Sequence, residues 1–599
     1  MFPRVITTRR NGQTYRYLAI IESYREGGKN KQRQIGNLGN IDRYSEEEIK
    51  RLINKLREFL HDDPYGTAED ITTYGTKHYG IPYVVNFFWD QLGLTEFIRS
   101  SLKDRQLEFD VALCTKIMVL NRLIAPQSKL ALTRWIPDLY LEELEGRPQP
   151  ELHHFYRTLD CLVEIKDALE KYLYHQLTDL LSLRLTLVFY DLTSSYFEGT
   201  HCPLAAYGYS RDKRPDRLQI NLGLLVTAEG IPIAHEVFPG NLADKSTVAK
   251  TIAVLKERFN IGECVFVGDR GMVSNDNLLA LREANFRYIL GFHKRGRAVS
   301  DELLAKHQDL ALYSQSKTGS LFYKEIAAAD VPEGEDEDKS DPEVRYILCH
   351  NPAKAEDDRI FREEALRETE EKLAALKAQL ADKTTRRGRK ITPKGVVVKL
   401  ASILEHKGMT PFFDVSYDGQ KELSFQRNEA AIAKEALRDG KFLVKTNSNL
   451  EPEAIVAAYK NLQQVESAFH EIKDFIRLRP IYHYNETRVR GHVMICVLAY
   501  LFEQWLEVLH RRHIEAEIYQ ASRQPTIVPE EKRQELKASY LSGRRILEEL
   551  DKIKAVDQEF ANQRLYNITL PRPAQRKILE RLGVPLPPKV LCRNNALEN

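Results

Sequence analysis

Between residues 183 and 292, short apolar runs alternate with helical patterns, and this order constrains the fold more than any other feature. The first run, RLTLVFYDLTSS, is typical of a buried strand, and DRLQINLGLLVTAEGIPIAHEVFPG is typical of a hairpin that turns at Ala228–Gly230. A helix, the strand ECVFVGDRGM, a second helix and the strand FRYILGF follow. This order predicts an α/β fold with a mixed sheet flanked by helices.

Two aspartates are expected at the carboxyl ends of these strands. Asp191 ends the first apolar run, and Asp269 ends the apolar part of ECVFVGDRGM. Sheets of this class bind their ligands at the carboxyl ends of the strands, so both side chains are candidates for a functional site. A carboxylate at a strand end is also often just a turn or helix cap, and the two aspartates alone do not decide between these roles.

A helical pattern from Glu451 to Lys473 carries a third candidate acid. Pro452, which lies between two glutamates, favours a first helical turn, and no glycine or second proline interrupts the pattern. Tyr459, Glu466 and Lys473 follow at seven-residue intervals, so one continuous helix would align them in a polar line. The opposite side carries an apolar stripe of Ile455, Leu462, Val465, Phe469 and Ile472. Taken alone, a glutamate on such a helix is usually a solvated surface residue.

Together, two strand-end aspartates and a helical glutamate fit a site for hard cations. Mg²⁺ takes few protein carboxylates and keeps its other positions for water and phosphate oxygens. Two such ions about 4 Å apart can activate a hydroxyl nucleophile and stabilise a leaving 3′ oxygen. The spacing therefore admits metal-dependent phosphodiester chemistry, beside the structural alternative.

The remaining patterns divide the chain into six segments. They are a basic N-terminal hairpin (1–44), a helical region (45–182), the two parts of a sheet-containing core (183–292 and 441–511), an insertion between those parts (293–440) and a helical C-terminal region (512–599). For the helical region, a scaffold and a DNA-binding or dimerisation unit are both open.

Charge is distributed unevenly along the chain. The formal net charge is only +2, yet lysines and arginines crowd the N-terminus, and residues 383–399 carry seven bases and no acid. Such patches are compatible with a polyanion, although the total charge neither requires nor excludes one. The basic residues of 383–399 considered for DNA contact are Arg386, Arg387, Arg389 and Lys390.

Cysteine usage and hydropathy indicate the compartment. Seven cysteines without a CxxC motif favour a reducing environment and argue against a zinc ribbon. No stretch resembles a signal peptide, and the most apolar run, MICVLAYLF, is too short to span a bilayer. We therefore expect a cytoplasmic protein that does not enter a membrane.

Six sequence blocks, in order, resemble the DDE transposases of bacterial insertion sequences. They are YDLTSSYF at Asp191, YGYSRDKR (207–214), FPGNLADKSTV (238–248), VGDRGM at Asp269, the glutamate helix, and RPIYHYNETRVRGHV (479–493). The branch concerned has its last carboxylate in Tyr-x2-Arg-x3-Glu-x6-Lys. This chain matches three of those four positions and has Leu462 where the pattern has arginine. SYREGGKNKQRQIGNLG (23–39) is similar to the start of the subgroup with a long insertion before the glutamate.

The resemblance implies an RNase H-like catalytic core that is interrupted by the insertion. It implies that Asp191, Asp269 and Glu466 are the catalytic triad and bind two Mg²⁺ ions, for which Mn²⁺ can substitute. Tyr459 and Lys473 would touch the DNA backbone beside the cut.

The implied partner is double-stranded DNA, both transposon ends and target, bound by a homodimer. Arg211, Lys213 and Arg214 follow the first aspartate in a turn and are further candidates for backbone contact.

The function implied is that of a transposase. It would bind the terminal inverted repeats of its insertion sequence and catalyse strand cleavage and strand transfer. A stand-alone nuclease on the same core and a catalytically impaired DNA-binding repressor are the alternatives. Leu462 favours the repressor mildly, because leucine cannot bind phosphate. On a continuous helix Leu462 would border the polar line, so that an arginine there could reach DNA without disturbing the fold.

Overall fold

The computed structural model describes most of the chain between residues 2 and 592. The residues left out within that span are 11–12, 28, 46, 50, 53–54, 56–70, 182–185, 273, 293–300, 308, 317–318, 328–342, 382–391, 420–421, 524–529 and 561–562. Residues 56–70 of the predicted helical region and residues 383–391 of the basic stretch therefore lie outside the described residues.

The N-terminal segment forms an antiparallel sheet rather than a simple hairpin. Its strands are β1 (Phe2–Arg10), β2 (Gln13–Glu26) and β3 (Lys29–Asn40). β2 and β3 pair across the predicted turn, with Glu26 opposite Lys29. The expected hairpin is thus present, and β1 adds a third strand through the pairing of Arg10 with Gln13.

A helical region follows a further strand. The elements are β4 (Thr72–His78), α1 (Gly80–Gln91), α2 (Leu94–Ser101), α3 (Val111–Ile124), α4 (Lys129–Trp135) and α5 (Leu152–Leu181). Asp110 and Ser128 accept hydrogen bonds from backbone N–H groups at the starts of α3 and α4, as helix N-caps do. The predicted helices are therefore present, but β4 was not expected.

The next stretch carries the strands that the sequence predicts. Its elements are β5 (Leu187–Tyr196), β6 (Gln219–Val226), β7 (Pro232–Pro239), α6 (Val248–Ala253, continued by a π-helical turn to Arg258), β8 (Val265–Gly268), α7 (Asn275–Glu283) and β9 (Arg287–Phe292). β6 is buried along its whole length, which matches its continuous apolar run.

The segment between β9 and the glutamate helix has two parts. Its elements are α8 (Asp301–Lys306), β10 (Ala311–Ser316), β11 (Gly319–Ile326), β12 (Arg345–His350), α9 (Pro352–Ala381), α10 (Pro393–Glu405), β13 (Phe413–Tyr417), β14 (Leu423–Arg427), α11 (Glu429–Ala436) and β15 (Lys441–Thr446). The helices α9 to α11 and the hairpin β13–β14 enclose a small apolar core of their own, which includes Leu366, Leu373 and Phe413. β10 to β12 instead join the main sheet, a continuity that the sequence pattern did not reveal.

Nine strands among the described residues form one mixed sheet in the order β10-β11-β12-β15-β9-β8-β5-β6-β7. β5, β8 and β9 are parallel, and the other neighbours are antiparallel. The predicted mixed α/β architecture is therefore confirmed.

The remaining elements follow the sheet. They are α12 (Pro452–Lys460), α13 (Gln463–His470), α14 (Glu486–Arg523), α15 (Glu530–Ala538), α16 (Gly543–Leu550), β16 (Lys554–Phe560), β17 (Gln563–Ile568), α17 (Pro573–Arg581) and β18 (Val590–Cys592). The prediction of a purely helical C-terminal region is wrong, because β16, β17 and β18 form a sheet with β4. Their sequences are polar and show little alternation of apolar and polar residues, so they do not indicate strands, and the partner β4 lies far away in the chain.

The core of the molecule is organised around α14. Phe88 of α1 packs against Trp505 of α14 with ring centroids 4.6 Å apart. Gly491 lets α14 approach α5 closely, since a Cβ there would lie 2.6 Å from the carbonyl oxygen of Leu159. Among the described residues one helical stretch, Glu486–Gln520, is long and apolar enough to cross a membrane. The expectation that the apolar run MICVLAYLF is too short for this is therefore wrong, because the run belongs to that longer helix. However, 89% of its most apolar window is buried inside the protein, as in a core helix.

Candidate active site

Parallel pairing of β5 with β8 brings the two candidate aspartates together. Phe189 pairs with Val267, and Asp191 and Asp269 each come two residues later. The register therefore places Asp191 and the residue directly after β8, Asp269, at neighbouring positions on adjacent strands. Asp269 directly follows the last residue of β8, as predicted.

Asp191 is not at a strand end. β5 continues through Tyr196, because residues 189–196 pair with β6, with Asp191 opposite Leu224. The prediction of a strand end at Asp191 is therefore wrong. The polar residues TSS after Leu192 looked like a turn, whereas Ser194 and Ser195 are fully buried within the strand.

The glutamate lies on a broken helix rather than a continuous one. α12 ends at Lys460, α13 begins at Gln463, and a π-helical turn occupies Glu471–Phe475. At the break, Leu462 N–H donates to the carbonyl of Tyr459 over 3.1 Å. The predicted polar line from Tyr459 to Lys473 is wrong, because two changes of helical phase separate its ends.

α13 packs against β5 and β6 and carries Glu466 towards the aspartates. Burial raises the pKa of Glu466, and the negative charge of Asp269 raises it further. Burial also raises the pKa of Asp191, to about 7, with Asp269 and Glu466 adding to the effect. The backbone N–H of Leu192 and the charge of Arg211 act in the opposite direction. The three carboxylates thus interact electrostatically, and their repulsion favours binding of a proton or a cation.

The carboxylates form an open arrangement. Within the described part of the chain, no three side chains of the His, Cys, Asp and Glu types converge closely enough to hold a metal ion. Mg²⁺ does not need such a cage, because it binds through one or two carboxylates and keeps its remaining positions for water and phosphate. The hard oxygen donors of Asp191, Asp269 and Glu466 therefore suit a divalent cation.

Tyr459 and Lys473 occupy different surroundings from those expected. The ring of Tyr459 lies against Phe442 of β15, with centroids 5.6 Å apart. Lys473 lies in the π-helical turn with its side chain only 9% exposed, and its Nζ donates to Asp212 Oδ1 over 2.7 Å. Burial lowers the pKa of Lys473, and Asp212 opposes this shift. The lysine is a buried ion-pair partner in this structure.

Arg211, Lys213 and Arg214 lie on the loop between β5 and β6. The backbone N–H of Arg211 donates to Ser194 Oγ over 2.8 Å, which anchors the loop to β5. Lys213 is exposed, in a left-handed backbone conformation with φ of 56°. The Arg214 guanidinium makes two hydrogen bonds of 2.9 Å to Asp216.

A cavity of about 360 Å³ opens beside this loop, between Tyr209 and Arg211 on one side and Gly240 and Gly271 on the other. Gly271 belongs to the turn directly after Asp269, so the cavity adjoins the carboxylates. The other basic candidates, Arg386, Arg387, Arg389 and Lys390, lie outside the described residues.

Sequence reasoning missed Asp212 and misjudged Leu462. Asp212 stands between two bases in YGYSRDKR, so the block reads as uniformly basic. Leu462 is only 8% exposed and belongs to the main core. Its expected position at the border of a polar line is therefore wrong.

Comparison with known proteins gives two family matches. The model described as "IS1634 family transposase, N-terminal domain" matches residues 3–67, and "Transposase DDE domain" matches residues 184–502. The second match covers more than half of the chain and includes every candidate carboxylate. No curated protein matches the chain.

Two solved structures are similar at low scores. One is a piggyBac transposase synaptic complex with hairpin DNA, at 8% identity and TM-score 0.25, covering 77% of this chain and 87% of that one. The other is a Mos1 transposase paired-end complex with the left transposon end, at 12% identity and TM-score 0.14, covering 31% and 59%.

Proposed function

Because this chain belongs to the DDE transposases of insertion sequences, we propose that it binds the terminal inverted repeats of its element and cuts and joins DNA there. The observation that supports this most is the pairing of Phe189 with Val267, two residues before Asp191 and Asp269, together with the influence of Asp269 and Glu466 on the raised pKa of Asp191. We propose that Asp191, Asp269 and Glu466 are the catalytic triad of an RNase H-like core.

DDE transposase domains generally use divalent metal ions. We propose Mg²⁺, two ions per site, with Mn²⁺ as a substitute and the three carboxylates as ligands. Bound there, the ions would supply a nucleophilic oxygen and stabilise the leaving 3′ oxygen. The chain's own part is to hold the carboxylates on a rigid strand, a strand end and a packed helix.

The proposed substrate is double-stranded DNA, which the protein would bind through the phosphates. Arg211 affects the pKa of Asp191 and lines the adjoining cavity, and we propose on that basis that it contacts a phosphate near the cut. Lys213, Arg214, Tyr459 and Lys473 are proposed further contacts, as are Arg386, Arg387, Arg389 and Lys390.

For the assembly we propose a homodimer on DNA, acting in the cytoplasm. The segment boundaries at residues 44, 182, 292, 440 and 511 are likewise proposals. The segment 293–440 would then contribute β10 to β12 to the core sheet as well as its own small unit.

The test separates cleavage from binding. Asp191→Ala, Asp269→Ala and Glu466→Ala should each abolish nicking of end DNA in Mg²⁺ or Mn²⁺ while end binding persists, because a lost ligand removes transition-state stabilisation. Glu283→Ala, which alters an exposed carboxylate on α7, is the control and should cleave normally. Normal cleavage by any triad variant would exclude that residue. A wild-type protein that binds ends but never cuts them would instead indicate a repressor.

A further inference from the structure

Asp212 connects the loop after β5 to the turn after the glutamate helix. Its Oδ1 accepts hydrogen bonds from Lys473 Nζ, over 2.7 Å, and from Arg479 Nη1. The Asp212 side chain is only 3% exposed, against 9% for Lys473 and 23% for Arg479. Such a buried carboxylate is costly to desolvate, and these two cations offset that cost.

The segments on either side of this cluster are bonded to β5, the strand that carries Asp191. Arg211, next to Asp212, is bound through its N–H to Ser194 of β5. Shortly after Arg479, Ile481 N–H donates to the carbonyl of Tyr196 over 3.0 Å and so binds to the end of the same strand. Arg479 Nη2 also reaches Asp474 over 2.6 Å. The ion cluster therefore joins β5, its following loop and the π-helical turn.

We infer that Asp212 is a positioning residue for the DNA-cutting reaction, holding Lys473 at a fixed distance from the catalytic carboxylates. This inference rests on the proposed function. Arg211, the neighbour of Asp212 in the chain, lines the same cavity as Gly271, which lies two residues after Asp269, so the cluster adjoins the acids. A buried ammonium without its carboxylate would lose its proton or turn away, and a phosphate would lose a fixed partner.

One oxygen of Asp212 remains available within this cluster. Oδ2 is buried and has no hydrogen-bond partner among the described residues. A carboxylate kept only for stability is usually saturated with donors. This unsaturated oxygen therefore fits a role for Asp212 beyond stability.

The test compares Asp212→Asn, Lys473→Gln and the double variant in single-turnover cleavage of prebound end DNA. Asp212→Asn should cut about tenfold more slowly or worse, with end affinity little changed. The double variant should cut no more slowly than Lys473→Gln, since Asp212 acts through Lys473. The inference is overturned if the rate losses of the two single variants multiply in the double variant, or if Asp212→Asn cuts at the wild-type rate.

Two further variants separate positioning from folding. Asp212→Glu keeps the negative charge but makes the side chain one methylene longer, which displaces Lys473. It should therefore retain the melting temperature and still slow cleavage. A normal cleavage rate for it would overturn the inference even if Asp212→Asn failed to fold. Asp439→Asn removes a comparable buried pair, in which Arg362 makes two bonds of 2.7 Å, and should lower the melting temperature without changing cleavage. If wild-type protein cuts no DNA with any divalent metal, the proposed function is contradicted, and so is this inference, which rests on it.

Discussion

At the residue scale, Leu462 shows how burial can replace a family's usual side chain. Where the related pattern has arginine, this chain has a leucine that lies at the break between α12 and α13 and is only 8% exposed. A phosphate contact from this position would need the side chain to leave the core. The contact, if the reaction needs one, must come from other bases, and exposed Lys460 and Arg477 are the nearest along the chain.

Leu462→Arg should therefore destabilise the protein by several kcal/mol, because a charged group would be buried without a partner. Gln463→Arg, at the exposed neighbouring position, is the matched control and should change stability by less than about 0.5 kcal/mol. Thermal melting of the two variants beside wild type measures the difference. Equal melting temperatures would mean that the side chain at 462 can reach solvent.

At the element scale, the sequence identified elements better than the relations between them. Continuous apolar runs predicted β5, β6 and β8, and the acids Asp191 and Asp269 followed from those runs. The register that aligns the acids could not be predicted, since strand pairing depends on contacts between distant residues. The helix break at Leu462 was equally invisible, because Asn461 and Leu462 are both tolerated in helices and only tertiary packing ends α12 there.

A buried charge network shows how such elements are held in place. Glu236 of β7 contacts Lys166 of α5 at 3.2 Å, Lys250 of α6 at 3.0 Å and Arg258 at 3.3 Å. Burial alone would raise the pKa of Glu236, but Lys166 and Lys250 outweigh it and lower the pKa to about 2. A carboxylate with a depressed pKa stabilises the fold above its ordinary pKa of about 4.5, and this stabilisation is lost as pH falls from there to about 2.

Glu236→Gln should lower stability at pH 7 by about 3 kcal/mol or more, because buried cations lose their counter-charge. The gap to wild type should shrink as pH falls from about 4.5 towards 2, where wild type loses the same charge. Denaturant unfolding across this pH range measures it, with exposed Glu263→Gln as the control. A gap independent of pH would show that Glu236 acts through packing rather than charge.

At the scale of the whole molecule, two regions far apart in the chain are joined, namely β4 with the start of α1 and the segment from α16 to β16. β4 pairs with β16, and Lys554 lies opposite His78. Gly80 N–H donates to the carbonyl of Ile553 over 2.9 Å, and a Cβ on Gly80 would lie 2.0 Å from the carbonyl oxygen of Leu550. The sequence did not suggest this joint, because each strand is short and polar and its partner is remote.

Gly80→Ala should therefore weaken the joint, since backbone atoms cannot move aside as a flexible side chain can. We expect a loss of at least about 1–3 kcal/mol, the usual cost of overpacking. Gly262→Ala is the matched control, because a Cβ there meets nothing within 4 Å. Limited proteolysis and thermal melting should show early release of residues 543–592 in the first variant alone. Equal behaviour of the two would mean that the joint tolerates displacement.

The proposed binding of DNA also belongs to the whole molecule, because a net charge of only +2 cannot attract a polyanion by itself. Affinity must then come from local basic segments, whose lysines and arginines release counterions from the phosphates. The segment 383–399, with seven bases and no acid, is the densest candidate. If it lies on DNA, binding to the transposon ends should weaken steeply as salt rises.

Neutralising Arg386, Arg387, Arg389 and Lys390 together should flatten the slope of log affinity against log salt by up to about four units, close to one per lost phosphate contact. The control neutralises four bases of α9, namely Lys354, Arg359, Arg367 and Lys377. Arg359 and Arg367 already pair with glutamates of their own helix, so this set should leave the slope nearly unchanged. Titrations of end DNA at several salt concentrations distinguish the two sets. If both slopes equal that of wild type, the segment is a solvated loop and the phosphates are held elsewhere, with Arg211 and Lys213 beside the cavity the next residues to neutralise.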